Sequence, residues 1–360
     1  MVKKIDFYKY FKNKKILVTG HTGFKGSWLS LWLLKLGCEV VGLSNETDKK
    51  SLLLKNLNFK KNLVSYNSDI KDFKAVKKII LKEKPDIIFH LAAQAIVSES
   101  FKNPLETINS NTLGSINILH GASFLKKKII CIMITSDKCY LNLEKKLGYK
   151  ENDTLGGEDI YSGSKAAAEI LMKSYYESFL RKNKKLFFCT ARAGNVIGGG
   201  DWSKNRLIPD IIRSFLKNKK VSIKNPNSVR PWQHVIEPLF GYMLLSKKLD
   251  KNTSLNGQSF NFGPISAKSY KVIDLVSQLE KLFKKTNFYN IKKNKNFHET
   301  NHLKLISKKA KKKLGWETIL SIKEVIYLIY EWYYNVSNDK KNYYKKILDQ
   351  INNYEKQRLK

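Results

Sequence analysis

The sequence predicts an α/β protein built on a doubly wound parallel sheet, with a smaller second domain. Three observations lead there. Short apolar runs recur through the first half, at 16–18, 39–43, 63–66, 86–91, 128–135 and 185–191. Stretches with helical apolar spacing separate them, and buried strands alternating with helices form βαβ crossovers covered on both faces. The first of these units carries Gly20, Gly23 and Gly26, spaced by three, at its strand-to-helix turn.

That first unit, KILVTGHTGFKGSWL at 15–29, organises the rest. Ile16, Leu17 and Val18 form the strand, the glycines the turn, and 28–36 the helix. A helix start offers unsatisfied N–H groups and the positive end of its dipole, and glycines let a pyrophosphate come close to the backbone. An anionic dinucleotide fits such a turn. The spacing is G-x-x-G-x-x-G rather than G-x-G-x-x-G, and the same glycines also suit a plain turn.

The second strand reads EVVGL at 39–43 and the third 63–66, with Asp69 and Ile70 following at its carboxyl edge. An amphipathic helix at 73–81 ends before Pro85, and DIIFHL at 86–91 is a buried strand. A helix over 104–125 leads to the strand KIICIMIT at 128–135, and one over 162–180 leads to KLFFCTA at 185–191. Past Asn195 the rhythm breaks into shorter segments. One strand-like stretch, 259–262, returns. The expected division is therefore a cofactor-binding domain at 1–195, with a returning strand near 258–263, and a smaller substrate domain from 196–257 and 264–360. The Lys-rich 308–313 reads as the exposed face of a helix, and helical spacing resumes over 319–334. There are no internal repeats.

The net charge of +36 raises a nucleic-acid reading, since clustered cations bind phosphates. The excess is mostly Lys spread along the whole chain, without an RNA-binding signature, so a compositional bias with some attraction for an anionic substrate is preferred. The four cysteines stand far apart with no C-x-x-C pair, which favours a reduced, cytoplasmic setting. His298 and His302 are four apart but lack the further ligand that a zinc site needs, and no metal is expected. No apolar run approaches the ~20 residues of a membrane span.

The chemistry concentrates at two places. Thr135, Ser136, Asp137 and Lys138 end the fifth strand, and Tyr161 and Lys165 stand four apart on a helix. At that spacing an ammonium lies near the phenol, favours its ionised form, and makes it a usable base.

Together these motifs resemble the extended short-chain dehydrogenase/reductase family, whose Rossmann-like members act on nucleotide-sugars with a bound nicotinamide cofactor. The resemblance implies that Gly20, Gly23, Phe24 and Gly26 hold the pyrophosphate of NAD, Asp69 and Ile70 its adenine, and Ala92, Ala93 and Gln94 its nicotinamide side. Ser136, Tyr161 and Lys165 would form the oxidising triad. The acidic ribose partner expected after the second strand is absent at Ser44 and Asn45, with Glu46 just beyond, which leaves NAD against NADP open.

Within the family, epimerases usually carry small residues where Asp137 and Lys138 stand, and dehydratases an acidic residue and a second proton-transfer group. Once C4 of a hexose is a ketone, the C5 proton becomes acidic and the C6 hydroxyl can leave. Elimination needs an acid and a base, here Asp137 and Lys138. Longer stretches, TSDKCY from Thr135, GYKENDTLGGEDIYSGSKAAAE from Gly148, ARAGNVIGGGDW from Ala191, RLIPD from Arg206 and RPWQHV from Arg230, are similar to family members that dehydrate CDP-glucose. The similarity covers about 12–265 well and the tail loosely. It implies that Asn195, Arg206 and Arg230 hold the nucleotide-sugar, that Trp202 and Trp232 pack on it or in the core, and that the product serves deoxysugar synthesis for surface polysaccharide such as O-antigen. It also implies a homodimer through the helices at 104–125 and 161–180, with Ala166, Ala167 and Ala168 permitting close approach. A nucleotide-sugar 4-epimerase and a noncatalytic nucleic-acid-binding protein are the competing readings.

Overall fold

The computed structural model describes residues 3–45, 62–264, 270–291, 302–338 and 343–359. A short helix α1 (Lys4–Phe11) precedes β1 (Lys15–Thr19), which is buried from Ile16 to Thr19. In α2 (Phe24–Lys35) every residue from Gly26 to Leu34 is buried, as a helix wedged between a sheet and further helices requires. β2 (Glu39–Ser44) and β3 (Leu63–Asn67) follow, then α3 (Phe73–Glu83), which starts at an Asp72 carboxylate accepting from the Ala75 N–H. β4 (Ile87–His90) is fully buried.

The helix expected over 104–125 is three pieces. After α4 (Val97–Ser100), α5 (Pro104–Ile108) and α6 (Gly114–Ser123) are joined by a π-helical turn over Asn109–Leu113. That turn aims polar side chains inward. Asn111 Nδ2 donates to the Gln94 carbonyl and to Ser164 Oγ, both at 3.0 Å, and Thr112 Oγ1 to the Ser164 carbonyl at 3.0 Å. β5 (Ile129–Ile134) and α7 (Ile160–Tyr175) come next, with another π turn over Tyr176–Leu180, and then β6 (Leu186–Ala193).

Beyond β6 lie β7 (Val196–Ile197), α8 (Leu207–Leu216), β8 (Val221–Ile223), β9 (Val229–Arg230), β10 (Gln233–His234) and α9 (Ile236–Lys251). β11 (Gln258–Phe262), β12 (Tyr270–Lys271), α10 (Val272–Leu282) and β13 (Tyr289–Ile291) precede three helices, α11 (Lys308–Leu314), α12 (Ile322–Asn338) and α13 (Tyr343–Arg358). Lys308, Lys311, Lys312 and Lys313 of α11 are exposed, whereas Lys309 turns in to the Ser259 carbonyl and Ala310 and Leu314 are buried.

Seven strands form one parallel sheet in the order β11-β6-β5-β4-β1-β2-β3. Val18 of β1 pairs with Gly42 on one side and Phe89 on the other. The strand order reverses between β1 and β4, and a crevice opens there at the carboxyl ends. Alternate residues of β1 feed two cores. Leu17 joins α3, α6 and α7 on one face, and Ile16 and Val18 join α2 and α9 on the other.

α9 falls in the stretch expected to belong to the smaller domain, but it packs on β5 and β6, with Leu239, Phe240, Met243 and Leu244 fully in the core. α13 also returns to the sheet's side. Its Glu355 accepts from Trp32 Nε1 at 2.7 Å and Tyr8 OH at 2.5 Å, and pairs with Lys35 at 2.5 Å. The residues reaching over the crevice come from α8, β8 and β9, with β8 paired to β13 and β9 to β12.

Candidate active site

At the carboxyl ends of β1, β4 and β5 the chain encloses a cleft of about 1540 Å³. Its floor is the glycine turn. Gly20 has φ +69°, and a Cβ there would lie 2.9 Å from the Ala92 N and Cα. A Cβ on Gly26 would lie 2.0 Å from the Gly20 carbonyl oxygen. Only hydrogen fits at either position. Gly23 caps α2 without a side-chain bond to the first-turn N–H groups, so these are left for an anion.

Phe24, Asp69, Ile70, Ala92, Ala93 and Gln94 line the same cleft. Asp69 Oδ1 accepts from the Lys71 N–H at 2.9 Å, and the Gln94 amide is held by the Ile96 backbone and Thr107. At the ribose end Ser44 Oγ lies 2.7 Å from Thr22 Oγ1. Glu46 falls outside the described residues, as does His298.

Ser136, Asp137, Lys138, Tyr161 and Lys165 share one wall of this cleft. Ser136 follows β5, accepts from the Lys138 N–H at 3.2 Å and donates to Asp137 Oδ1 at 3.1 Å. Tyr161 and Lys165 project from the first turns of α7, whose cap Asp159 accepts from the Ser162 N–H at 2.9 Å. Burial pushes the Tyr161 phenol up, and the Ser136 hydroxyl and the Arg206 charge partly offset it. Burial and the Lys25 ammonium bring Lys165 down to about 7. For Asp137 burial raises the carboxyl against the pull of Lys138, Ser136 and Arg230. Its Oδ2 is buried and has no hydrogen-bond partner among the described residues.

Asn195, Arg206 and Arg230 also line the cleft. Arg206 pairs with Asp201 at 3.1 Å, and Arg230 donates to the Val229 carbonyl at 2.9 Å. Trp232 faces the cleft, whereas Trp202 is not among its lining residues and packs edge-on against Tyr333 at 5.1 Å. Lys217, Lys219, Lys220 and Lys224 line the outer end.

Residues 17–329 match the family model described as GDP-mannose 4,6 dehydratase. The chain belongs to this family. It is 38% identical over 328 residues to the CDP-glucose 4,6-dehydratase of Salmonella typhimurium, covering 90% of this chain and 91% of that protein. The fold is shared with the epimerase Mth375 of Methanothermobacter thermautotrophicus (TM-score 0.82, 22% identity, 94% of this chain and 97% of that one). It is shared too with the dTDP-glucose 4,6-dehydratase of Bacillus anthracis, solved in complex with NAD (TM-score 0.76, 20% identity, 91% and 98%).

In this member of the GDP-mannose 4,6 dehydratase family, sequence reasoning missed three features of the site. Lys25 lies inside the glycine turn and lines the cleft. Burial and the Arg206 charge hold it down to about 8, with Asp137 opposing. A cation in the first turn opposes the helix dipole, and that mismatch was its signal. Gly194 abuts Asp137, and a Cβ there would lie 2.9 Å from Oδ2. Glu169 and Arg192 form a buried pair behind Lys165. Neither had a local signal. No group of three or more potential metal ligands occurs among the described residues, and none of their helices is long and apolar enough to cross a membrane.

Proposed function

We propose that the chain converts CDP-glucose to CDP-4-dehydro-6-deoxyglucose and water, with NAD as resident cofactor. The observation that carries this reading is Asp137: a buried carboxyl that lines the cleft with Tyr161 and Lys165, one oxygen accepting from Ser136 and the other without a partner among the described residues, with burial raising its pKa. The identity to the Salmonella enzyme supports the nucleotide-sugar and the base. Gly20, Gly23, Gly26 and the open start of α2 fit a pyrophosphate, and Asp69, Ile70, Ala92, Ala93 and Gln94 line the path for the rest of the dinucleotide. NAD held there would supply the hydride acceptor for oxidation at C4 and the hydride donor for reduction at C6.

The protein's residues move the protons. Tyr161 removes the C4 hydroxyl proton while Ser136 holds that oxygen and Lys165 stabilises the phenolate. Lys138, as the free amine, takes the C5 proton and Asp137, as the acid, gives its own to the departing C6 hydroxyl, so neither a carbanion nor hydroxide accumulates on the sugar. Asn195, at the end of the 1–195 portion, and Arg206, Arg230 and Trp232 beyond it hold the nucleoside diphosphate, while 1–195 with β11 holds the cofactor. Trp202 serves through the fold, packed on Tyr333 with its carbonyl accepting from Arg213. Incubation with CDP-, dTDP-, UDP- and GDP-glucose and mass analysis of the products tests this. Loss of one water with CDP-glucose is expected. Isomerised sugar of unchanged mass would establish a 4-epimerase, a reading kept because the fold is shared with Mth375.

A homodimer and a cytoplasmic setting complete the proposal, with the product entering deoxysugar synthesis for surface polysaccharide. Leu105, Leu113, Ile170, Leu171 and Phe179 stand exposed on the helices from 104 to 180, an apolar face suited to a second copy. Ala166 and Ala168 are buried inside the chain, so the outward contacts come from these larger side chains. Light scattering at micromolar concentration should give twice the monomer mass, and a monomer would remove the dimer from the reading.

A further inference from the structure

Glu169 stands one helical turn beyond Lys165 and two beyond Tyr161, so the three side chains share a face of α7. Its carboxylate and the Arg192 guanidinium from β6 are both buried, 2% and 3% exposed. Arg192 grips it with two parallel bonds of 2.9 Å, Nε to Oε1 and Nη2 to Oε2. Thr135 Oγ1 donates to Oε1 at 2.5 Å, Thr190 Oγ1 to Oε2 at 2.8 Å and Ser259 Oγ to Oε2 at 3.3 Å. The remaining Arg192 donors reach Tyr140 OH at 2.7 Å, the Glu151 carbonyl at 2.9 Å and Ser259 Oγ at 3.1 Å. Three elements of the sheet thereby converge on one carboxylate.

A buried ion pair is a poor way to gain stability, because an apolar pair of similar volume often does as well. Its placement shows what the charge can do instead. Thr135 immediately precedes Ser136, and Lys165 is four residues from Glu169. We propose that Glu169, fixed by Arg192, is a positioning residue for the C4-oxidation step: it ties the end of β5 at Thr135 to the face of α7 that carries Tyr161 and Lys165, and supplies a counter-charge to the Lys165 ammonium. The inference rests on the proton-transfer roles given above to Tyr161 and Lys165.

The groups facing Lys165 set a balance. Lys25 from α2 opposes its charge and Glu169 and Cys139 favour it, while burial keeps His90 of β4 neutral. Around the pair stand Tyr140, Cys139, Glu151 and Lys309, whose Nζ donates to the Ser259 carbonyl at 2.9 Å. Burial pushes the Glu169 carboxyl up, but the Arg192 charge and the bonds from Arg192, Thr135 and Thr190 outweigh it and keep it ionised. Glu169 therefore offsets Lys25 from behind the site.

The test compares wild type, Glu169→Gln and Glu169→Gln/Arg192→Met by the pH dependence of dehydration, and by competitive acetylation of Lys165 in the cofactor-free protein read by peptide mass spectrometry. Glu169→Gln keeps the shape and removes the charge, so Lys165 should lose its proton about tenfold more readily and the alkaline limb move down about one pH unit. Its acetylation midpoint should fall with it. The double variant removes both charges and should bring both readouts back toward wild type. Unmoved midpoints in the two variants would show a structural tie alone and overturn the counter-charge. Thr135→Val deletes only the tie and should lower kcat about tenfold at unchanged KM, with Thr135→Ser restoring it. Wild-type kcat in Thr135→Val overturns the positioning role, and this variant decides if Glu169→Gln does not fold. A wild-type chain that dehydrates no nucleotide-sugar would sink the functional reading while the acetylation arm still reads the counter-charge.

Discussion

Gly194 makes the room that Asp137 occupies: a Cβ on Gly194 would lie 2.9 Å from Asp137 Oδ2 and 2.3 Å from Pro231 Cγ. The oxygen so accommodated is the one without a partner among the described residues. Gly194→Ala should therefore displace the carboxyl or Pro231, lowering kcat for water loss at least about tenfold, since small misplacements of reacting groups are costly. Thermal melting run beside the assay separates this from unfolding. A Gly194→Ala enzyme with wild-type kcat would show that the Oδ2 position is immaterial.

Asp137→Asn keeps the size and loses the transferable proton. C4 oxidation should continue, while water loss falls by about 10²–10⁴, the usual worth of one proton-transfer group. Mass analysis of the product, with deuterium uptake at C5 in heavy water, reads the two halves separately. Undiminished dehydration would show that another group protonates the leaving hydroxyl.

Lys25→Met removes the cation that opposes Lys165. With it gone, Lys165 holds its proton to higher pH than its present value of about 7, so the alkaline limb of activity moves upward. The sign is opposite to that expected for Glu169→Gln. An unmoved or lowered limb would place the Lys25 ammonium too far from Lys165 to matter.

His90 and His234 are buried and held down to about 3, chiefly by burial, and for His90 also by the Lys165 charge. The unfolded chain takes up protons at both as pH falls below about 6.5, while the folded chain resists until about 3. Their contribution to stability is intact above about 6.5 and shrinks across that window, by about 1.4 kcal/mol per pH unit for each. Urea midpoints at pH 7.5 and pH 5 should differ more in wild type than in His90→Gln/His234→Gln. Equal slopes would exclude the histidines as the source.

The sheet and the shared helical face of Tyr161 and Lys165 were legible because both are local patterns. The apolar runs of β1, β4 and β5 are contiguous, the glycines sit three apart, and Tyr161 and Lys165 four apart. What escaped reading depends on crossings between distant strands. Gly194 meets Asp137, and Arg192 meets Glu169, only once β6 lies beside β5. α9 shows the same limit, since an apolar helical pattern fixes that a face is buried but not which surface buries it. The two π turns, at Asn109–Leu113 and Tyr176–Leu180, leave no signature in the spacing of apolar residues because the shift each introduces is a single position.

The late return of β11 to the sheet also sets an order of assembly. Gln258–Phe262 pairs in parallel with β6, whose own last residue is Ala193. While a ribosome is still making the intervening segments, β6 stands as an open edge with its backbone groups unpaired, the kind of surface on which nascent chains stick to one another. Until β11 arrives, the strand that carries Arg192 and leads into Gly194 is the exposed flank of the growing molecule, and chaperone demand during synthesis should peak there.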